Sequence, residues 1–272
     1  MHYSLFTSVS HSYERMWAIS LRHLRQMYKD VSRLIHVFYW PFLDIMLWGF
    51  TAQWVQQRYT DDARFSLTML AAIVAWQLFV RANLDVSTHL LEDIQDQNIV
   101  NLFASPLTLF EWAGGILLLT FANVAALMLF CSSTVFLLYH LNIAAVGLAV
   151  MPFIFNLMLG GLAVGFLGAG LLIYWGRRTL GIIYMLGWFF APFSGAFYPI
   201  TILPIGLRLI AQILPIHYTI EGIRQLVSVG TFSYHLLGIS FVLSVLYCVL
   251  GFTFFVCMFA CSKQKGLARL AD

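Results

Sequence analysis

The chain reads as an all-α integral membrane protein. It has six transmembrane helices, an interfacial amphipathic helix before the first, and an outward re-entrant helical hairpin between spans five and six. Three observations predict this. Of 272 residues, 61% are hydrophobic and only 10% charged, whereas soluble domains carry ~25% charged residues. Apolar runs recur near 34–55, 66–85, 107–138, 143–174, 179–199 and 236–261, and a spanning helix needs ~20 residues. Finally, the apolar stretch 191–233 is cut by Pro192, Pro199, Pro204 and Pro215 into pieces too short to span. Non-helical backbone at membrane depth is tolerated only where protein or a water-filled cavity shelters it, so such a hairpin points to a pathway or gate.

Two regions follow: residues 1–33, an N-terminal segment with the amphipathic helix, and residues 34–272, a single six-span domain. The first segment lacks an apolar core followed by a small-residue cleavage site and is not a signal peptide. At ~100° per residue, Tyr13, Trp17, Leu21, Leu24, Tyr28, Val31 and Ile35 of 12–35 fall on one arc. Arg15, Arg22, Arg25, Lys29 and Arg33 fall opposite, the pattern of a basic helix lying flat at a membrane surface. With the N-terminus inside, eleven Lys and Arg residues lie inside and four outside, placing both termini in the cytoplasm. The net charge of +3 is topogenic and implies no nucleic-acid partner.

The inner loop 86–105, VSTHLLEDIQDQNIVNLFAS, departs from the positive-inside pattern. It carries Glu92, Asp93 and Asp96 and no Lys or Arg, with Leu91, Ile94, Asn98 and Leu102 at helical spacing. A short acidic cytoplasmic helix is expected there, as a docking element for a partner. As exposed charges its acids are individually worth ~0–1 kcal/mol, so Asp93→Ala alone should do little. Ser105 and Pro106 then cap the third span, with Glu111 early in it. In the fourth span Gly161-x-x-x-Gly165 allows close helix approach, and Trp175-Gly176-Arg177-Arg178 makes a tight turn into the fifth. On the second hairpin helix Glu221 and Arg224 sit three apart and can pair.

Several chemistries are missing. No G-x-x-x-x-G-K-[ST] phosphate loop, H-E-x-x-H, paired Cys-x-x-Cys or G-x-S-x-G elbow occurs. Cys131, Cys248, Cys257 and Cys261 lie in apolar segments without metal-ligand spacing. Asp44 and Glu111 are the intramembrane carboxylates; pairing with a nearby helix is the leading reading of Asp44, and Glu111 sits where a helix N-terminus favours an anion.

The pattern from Pro192 to Arg224, PFSGAFYPITILPIGLRLIAQILPIHYTIEGIR, resembles the permease subunits of ABC-2 type ATP-binding-cassette exporters. So do the first span, with Trp40-Pro41 and Trp48-Gly49, and the segment NLFASPLTLFEW at 101–112. The resemblance implies a homodimer forming the pathway and a separate ATPase subunit that hydrolyses ATP, this chain binding no cofactor. It places ATPase coupling at the N-terminal helix, with Arg22 and Arg25, and at the first inner loop, with Glu92, Asp93 and Asp96. It assigns the outward gate to the hairpin with Pro199, Pro204, Pro215, Glu221 and Arg224. It further implies a bacterial plasma (inner) membrane location and cargo such as a glycan, a lipid-linked glycan, a lipid or a drug. Two rival readings stand beside it. One is an ion-gradient-driven secondary transporter coupled through Asp44 and Glu111. The other is a membrane enzyme, for which no convergent catalytic residues can be assembled.

Overall fold

The computed structural model describes residues 2–29, 31–60, 62, 64–99, 102, 105 and 107–266. Among these, all regular structure is helical. The main helices are α1 His2–Lys29, α2 Val31–Tyr59, α3 Phe65–Gln95, α4 Leu109–Tyr139, α5 Met151–Trp175, α6 Leu180–Phe189, α7 Ile205–Ile213, α8 Pro215–Ser228 and α9 Tyr234–Gln264. Four stretches are long and apolar enough to cross a membrane: Phe65–Gln95, Leu109–Tyr139, Gly147–Ser194 and Tyr234–Gln264. The protein is an all-α membrane protein.

Helices α3 and α5 form the centre, packed along each other and flanked by α2, α4, α8 and α9. The apolar stretch of α3 is 78% buried and that of α9 only 17%, so α9 is peripheral and its Val242, Leu246, Val249 and Leu250 face outward. The α3–α5 contact is close because α5 presents glycine. A Cβ on Gly161 would lie 2.6 Å from the Phe79 carbonyl oxygen, and one on Gly165 would lie 2.7 Å from that of Asn83. The small-x-x-x-small spacing in α5 therefore packs against α3.

The stretch Gly147–Ser194 is not one rod. Gly176 has φ 72° and ends α5, a conformation that glycine adopts without strain. The chain then folds back: Ile183 lies 3.7 Å from the Cβ position of Gly168, and Asn83 Nδ2 lies 2.5 Å from that of Gly187. The expected turn at 175–178 is thus present. The expected fifth span over 179–199 is shorter and broken, because α6 ends at Phe189 and only the single helical turn Ala191–Ser194 follows. Pro192 lacks an N–H and cannot continue the ladder, and Gly195 enters the left-handed region at φ 76°.

Each proline beyond that point stands at a helix start. Pro199 precedes a 3₁₀ turn, Pro204 flanks α7, and Pro215 is the first residue of α8. On α7, Ile205, Leu209 and Ile213 are exposed at four-residue spacing. Helix α8 is buried through Ile216, Thr219, Ile220 and Ile223. The Leu214–Pro215 junction shares a cavity with Phe79 and Gly160, midway along α3 and α5. The far end of α8 lies at the start of α3, where Arg64 Nη1 donates to the Ser228 carbonyl at 2.9 Å. Carbonyls near the junction are satisfied by side chains: Tyr218 Oη donates to Gln212 O at 2.8 Å and Tyr247 Oη to Ile213 O at 3.2 Å.

Two boundaries differ from expectation. The acidic loop is not a separate helix, since α3 continues to Gln95 and carries Glu92 and Asp93 on its last turns. Hydropathy falls after residue 85 while helical spacing persists, so the polarity change did not mark a helix end. Helix α4 starts at Leu109, capped by Thr108, and not at 106. Pro106 lies outside the described residues. The Thr108 side chain accepts from the Glu111 N–H while Glu111 accepts from the Thr108 N–H, a reciprocal capping box.

Candidate functional site

Two features stand out along α3: a charged clasp to α1 at its C-terminal end and a groove further up. The clasp depends on a third face of α1. The predicted apolar arc is not what binds the bundle, because Tyr13 and Trp17 are 66% and 59% exposed. Ile19, Ser20 and His23 are buried instead, a face lying between the apolar and basic arcs. The helix ends at Lys29, so Val31 and Ile35 belong to α2. Glycines on α4 admit it: a Cβ on Gly115 would lie 2.9 Å from both Ile19 Cβ and the Met16 carbonyl oxygen. Ser20 Oγ donates to the Gly115 carbonyl at 2.7 Å.

Polar pairs lock this contact. Arg15 Nη1 pairs with Glu111 Oε1 at 3.1 Å, Arg22 Nη2 with Asp93 Oδ1 at 2.5 Å, and Gln26 Nε2 donates to Asp96 Oδ2 at 3.2 Å. His23 is wholly buried, with Nδ1 3.5 Å from Glu92 Oε2 and Nε2 3.7 Å from Asp93 Oδ2. His89 Nδ1 lies 3.1 Å from the same Glu92 oxygen. Burial holds the His23 imidazole below its ordinary value of 6.5, opposed by the neighbouring Glu92 carboxylate. The structure therefore brings Arg22, Glu92, Asp93 and Asp96 together within the chain. It corrects the picture of three exposed acids: the Asp93 side chain is 3% exposed and Glu92 14%, whereas Asp96 and Arg25 are exposed. Asp93 is consequently not a residue whose removal should do little.

The groove lies between α2, α3 and α6. Its cavity of about 430 Å³ is lined by Trp40, Pro41, Gln77, Arg81, Tyr184 and Trp188, among others. A second cavity, of about 330 Å³, shares Val37, Arg81, Leu84 and Tyr184 with it and reaches His89 and Glu92. The two together run from mid-α3 to the clasp. Polar groups of the groove are internally paired. Gln77 Nε2 donates to Asp44 Oδ2, Arg81 Nη2 pairs with Asp85 Oδ1 at 2.6 Å, and Asn123 Nδ2 donates to Asp85 Oδ2 at 3.0 Å. Arg81, counted from sequence as a topogenic charge, is thus one half of a buried i,i+4 pair. Such a surface offers aromatic faces, apolar walls and a neutralised guanidinium. That is equipment for holding an amphiphilic molecule.

The remaining predicted residues are dispersed. Glu111 lies in the first turn of α4 and pairs with Arg15 of α1, whereas Asp44 of α2 accepts from Gln77 of α3. Arg224 Nη1 pairs with Glu221 at 3.3 Å, and its Nη2 donates to the Gly195 carbonyl at 2.6 Å, tying α8 to the turn after α6. Sequence reasoning missed His23, His89, Gln77, Asp85 and Gly115. The His89/Glu92 and Arg81/Asp85 spacings were visible as helix-face pairs; the cross-helix partners carried no local signal. No protein-family model matches the chain, and no curated protein matches it.

Proposed function

We propose that this chain is the membrane-spanning subunit of an ATP-driven exporter of the ABC-2 kind, located in a bacterial inner membrane with both termini in the cytoplasm. On this reading α2, α3, α4, α5, α6 with its following turn, and α9 supply six spans, and α7–α8 form the outward re-entrant hairpin. Two copies bring their grooves together as a pathway, and a separate ATPase subunit hydrolyses ATP. The observation that carries the reading is that one helix, α3, bears both the groove wall, through Gln77 and Arg81, and the clasp to α1, through Glu92 and Asp93. A push on α1 from the ATPase would reach the groove without crossing a loop. Differential affinity of the ATP-bound partner for one arrangement of α1 would shift the groove between states. The cargo fits aromatic and apolar walls, which favours a glycan, lipid-linked glycan or lipid.

The rival, a secondary transporter coupled through Asp44 and Glu111, has less support. Asp44 is engaged by Gln77, and Glu111 caps a helix and pairs with Arg15. The test is isolation of the chain from its native membrane in mild detergent after cross-linking, with identification of co-isolated proteins and measurement of ATP hydrolysis. An ATP-binding-cassette ATPase should co-isolate, and hydrolysis should require it. Turnover by the chain alone, or cargo movement in vesicles driven by a proton gradient without ATP, would overturn the reading.

A further inference from the structure

We propose that His23 of α1 with His89 and Glu92 of α3 forms a binding site for a divalent transition-metal ion, Zn²⁺ being the best match, which clasps α1 to α3. The inference is independent of the export reading. Each of the three residues offers one ligand atom, and these atoms all lie within 4.8 Å of one another. For metal–ligand bonds of 2.0–2.2 Å, adjacent ligands of a tetrahedral site stand about 3.3 Å apart. Two of the three edges already meet that value: His89 Nδ1 to Glu92 Oε2 is 3.1 Å and His23 Nδ1 to Glu92 Oε2 is 3.5 Å. The third, between the imidazoles, needs only a ring rotation, since the ring centroids are 4.6 Å apart at 45°.

The chemistry of the donors selects the ion. Two imidazole nitrogens and one carboxylate oxygen suit Zn²⁺ and its first-row neighbours, while Ca²⁺ and Mg²⁺ take oxygen ligands. His89 and Glu92, three apart on one helix, form a preset chelate that α1 completes.

Unused hydrogen-bonding capacity points the same way. His23 is fully buried, yet its Nδ1, aimed at Glu92, makes no hydrogen bond; nor does His89 Nε2. Leaving such groups unsatisfied is costly, and a metal on His23 Nδ1 removes one of these deficits. The outer nitrogen of His23 faces Asp93 Oδ2 at 3.7 Å. Closed to hydrogen-bond distance, this pair would be the carboxylate–histidine arrangement that orients metal-bound imidazoles. Arg22 Nη2 now lies 3.0 Å from the same nitrogen. With a metal bound that nitrogen carries the proton, so Arg22 keeps only its pair with Asp93. His89 and Glu92 also line the 330 Å³ cavity, with Thr88, Arg81 and Gln95, from which water can complete the shell.

The full-length chain, untagged and freed of divalent ions in detergent, is titrated with Co²⁺ and then Zn²⁺. Expected is one Co²⁺ per chain with the visible d–d absorption of a tetrahedral nitrogen–oxygen site, displaced by Zn²⁺. A Zn²⁺-dependent rise in melting temperature should accompany it. His23→Gln, His89→Gln and Glu92→Gln should each weaken Zn²⁺ at least about tenfold and abolish that rise. Circular dichroism and size-exclusion profiles show that the variants are folded, and His23→Asn is the substitute should His23→Gln aggregate. Three results would overturn the proposal: no tetrahedral Co²⁺ spectrum, affinity unchanged in the variants, or a thiolate charge-transfer band assigning the ion to cysteine.

Discussion

Replacing Gly161 by alanine should separate the two central helices. The added Cβ would stand 2.6 Å from the Phe79 carbonyl oxygen, 2.7 Å from Ala82 Cβ and 3.1 Å from the Asn83 nitrogen, whereas ordinary contact begins at 3.4 Å. The shortfall is about 0.8 Å against the carbonyl, and two of the three neighbours are backbone atoms that cannot turn aside. One turn on, Gly165 is equally tight and its carbonyl accepts from Ser87 Oγ at 3.1 Å, so α5 cannot tilt away locally. Overpacking of this kind costs about 1–3 kcal/mol. For a chain of this size, roughly 2–4 °C of melting temperature is lost per kcal/mol, so a fall of about 2–12 °C is expected. The control is Gly238→Ala on α9, where no atom lies within 4 Å of the new methyl. There the helix gains about 0.5–1 kcal/mol from losing a glycine. Both are read by tryptophan fluorescence during thermal unfolding in detergent. Equal melting of Gly161→Ala and the parent, or an equal fall in Gly238→Ala, would refute the packing argument.

Further outcomes follow from the same contacts. Asp93→Ala strands Arg22 and His23 beside an emptied pocket; removing one member of a buried pair costs about 3–5 kcal/mol, and about half that is expected because Arg22 is 28% exposed. Asp96→Ala, at an exposed position, should stay within about 0.5 kcal/mol, and hydrogen exchange over residues 17–27 should accelerate only in the first variant. Thr108→Ala removes the cap of α4 and should cost about 1 kcal/mol, with Thr108→Ser restoring most of it in the melting assay. Burial holds His217 below its ordinary 6.5, with Arg224 adding to the effect and Glu221 opposing it. The folded protein therefore takes up this proton less readily than the unfolded chain. The associated stability is complete above about pH 6.5 and lost as pH falls through the lowered value. Exchange over residues 214–226, corrected for intrinsic rates, should rise in that window, and His217→Gln should remove the step.

What the sequence made legible was whatever repeats along one element. Uninterrupted apolar runs located α4 and α9 to within about three residues, and prolines marked the starts of α7 and α8. The glycine spacing of α5 pointed to a close contact without naming α3 as the helix contacted. Other features depended on groups brought together from afar. Trp17 and Ile19 are both apolar, yet only Ile19 is buried, because Gly115, ninety-odd residues later, leaves room for it. Asp93 looked like a surface acid because Arg22 and Trp112, which donates to it at 3.4 Å, lie on other helices. Arg81 looked like a boundary charge for the same reason. The fifth span was overextended because apolar character continues past Pro192 while the hydrogen-bond ladder does not.

The continuity of α3 changes where mechanical leverage can lie. A separate docking helix between two spans would need a stiff loop on each side to pass on a displacement. Here the residues that hold α1 and the residues that wall the groove belong to one 31-residue helix, about 46 Å long at 1.5 Å per residue. Its N-terminal end is tied to α8 through Arg64 and Ser228, its middle is locked to α5 through Gly161 and Gly165, and its C-terminal end is paired with α1. A packed helix held this way tilts or shifts as a body, because its interlocked face resists bending. On the export reading, movement of α1 would be translated into displacement of Gln77 and Arg81, with the glycine contact as fulcrum. The opposite end would carry the hairpin with it. The exposed Asp96 and Arg25 are then the residues of the coupling region left facing outward for an ATPase to grip, while Glu92 and Asp93 transmit within the chain.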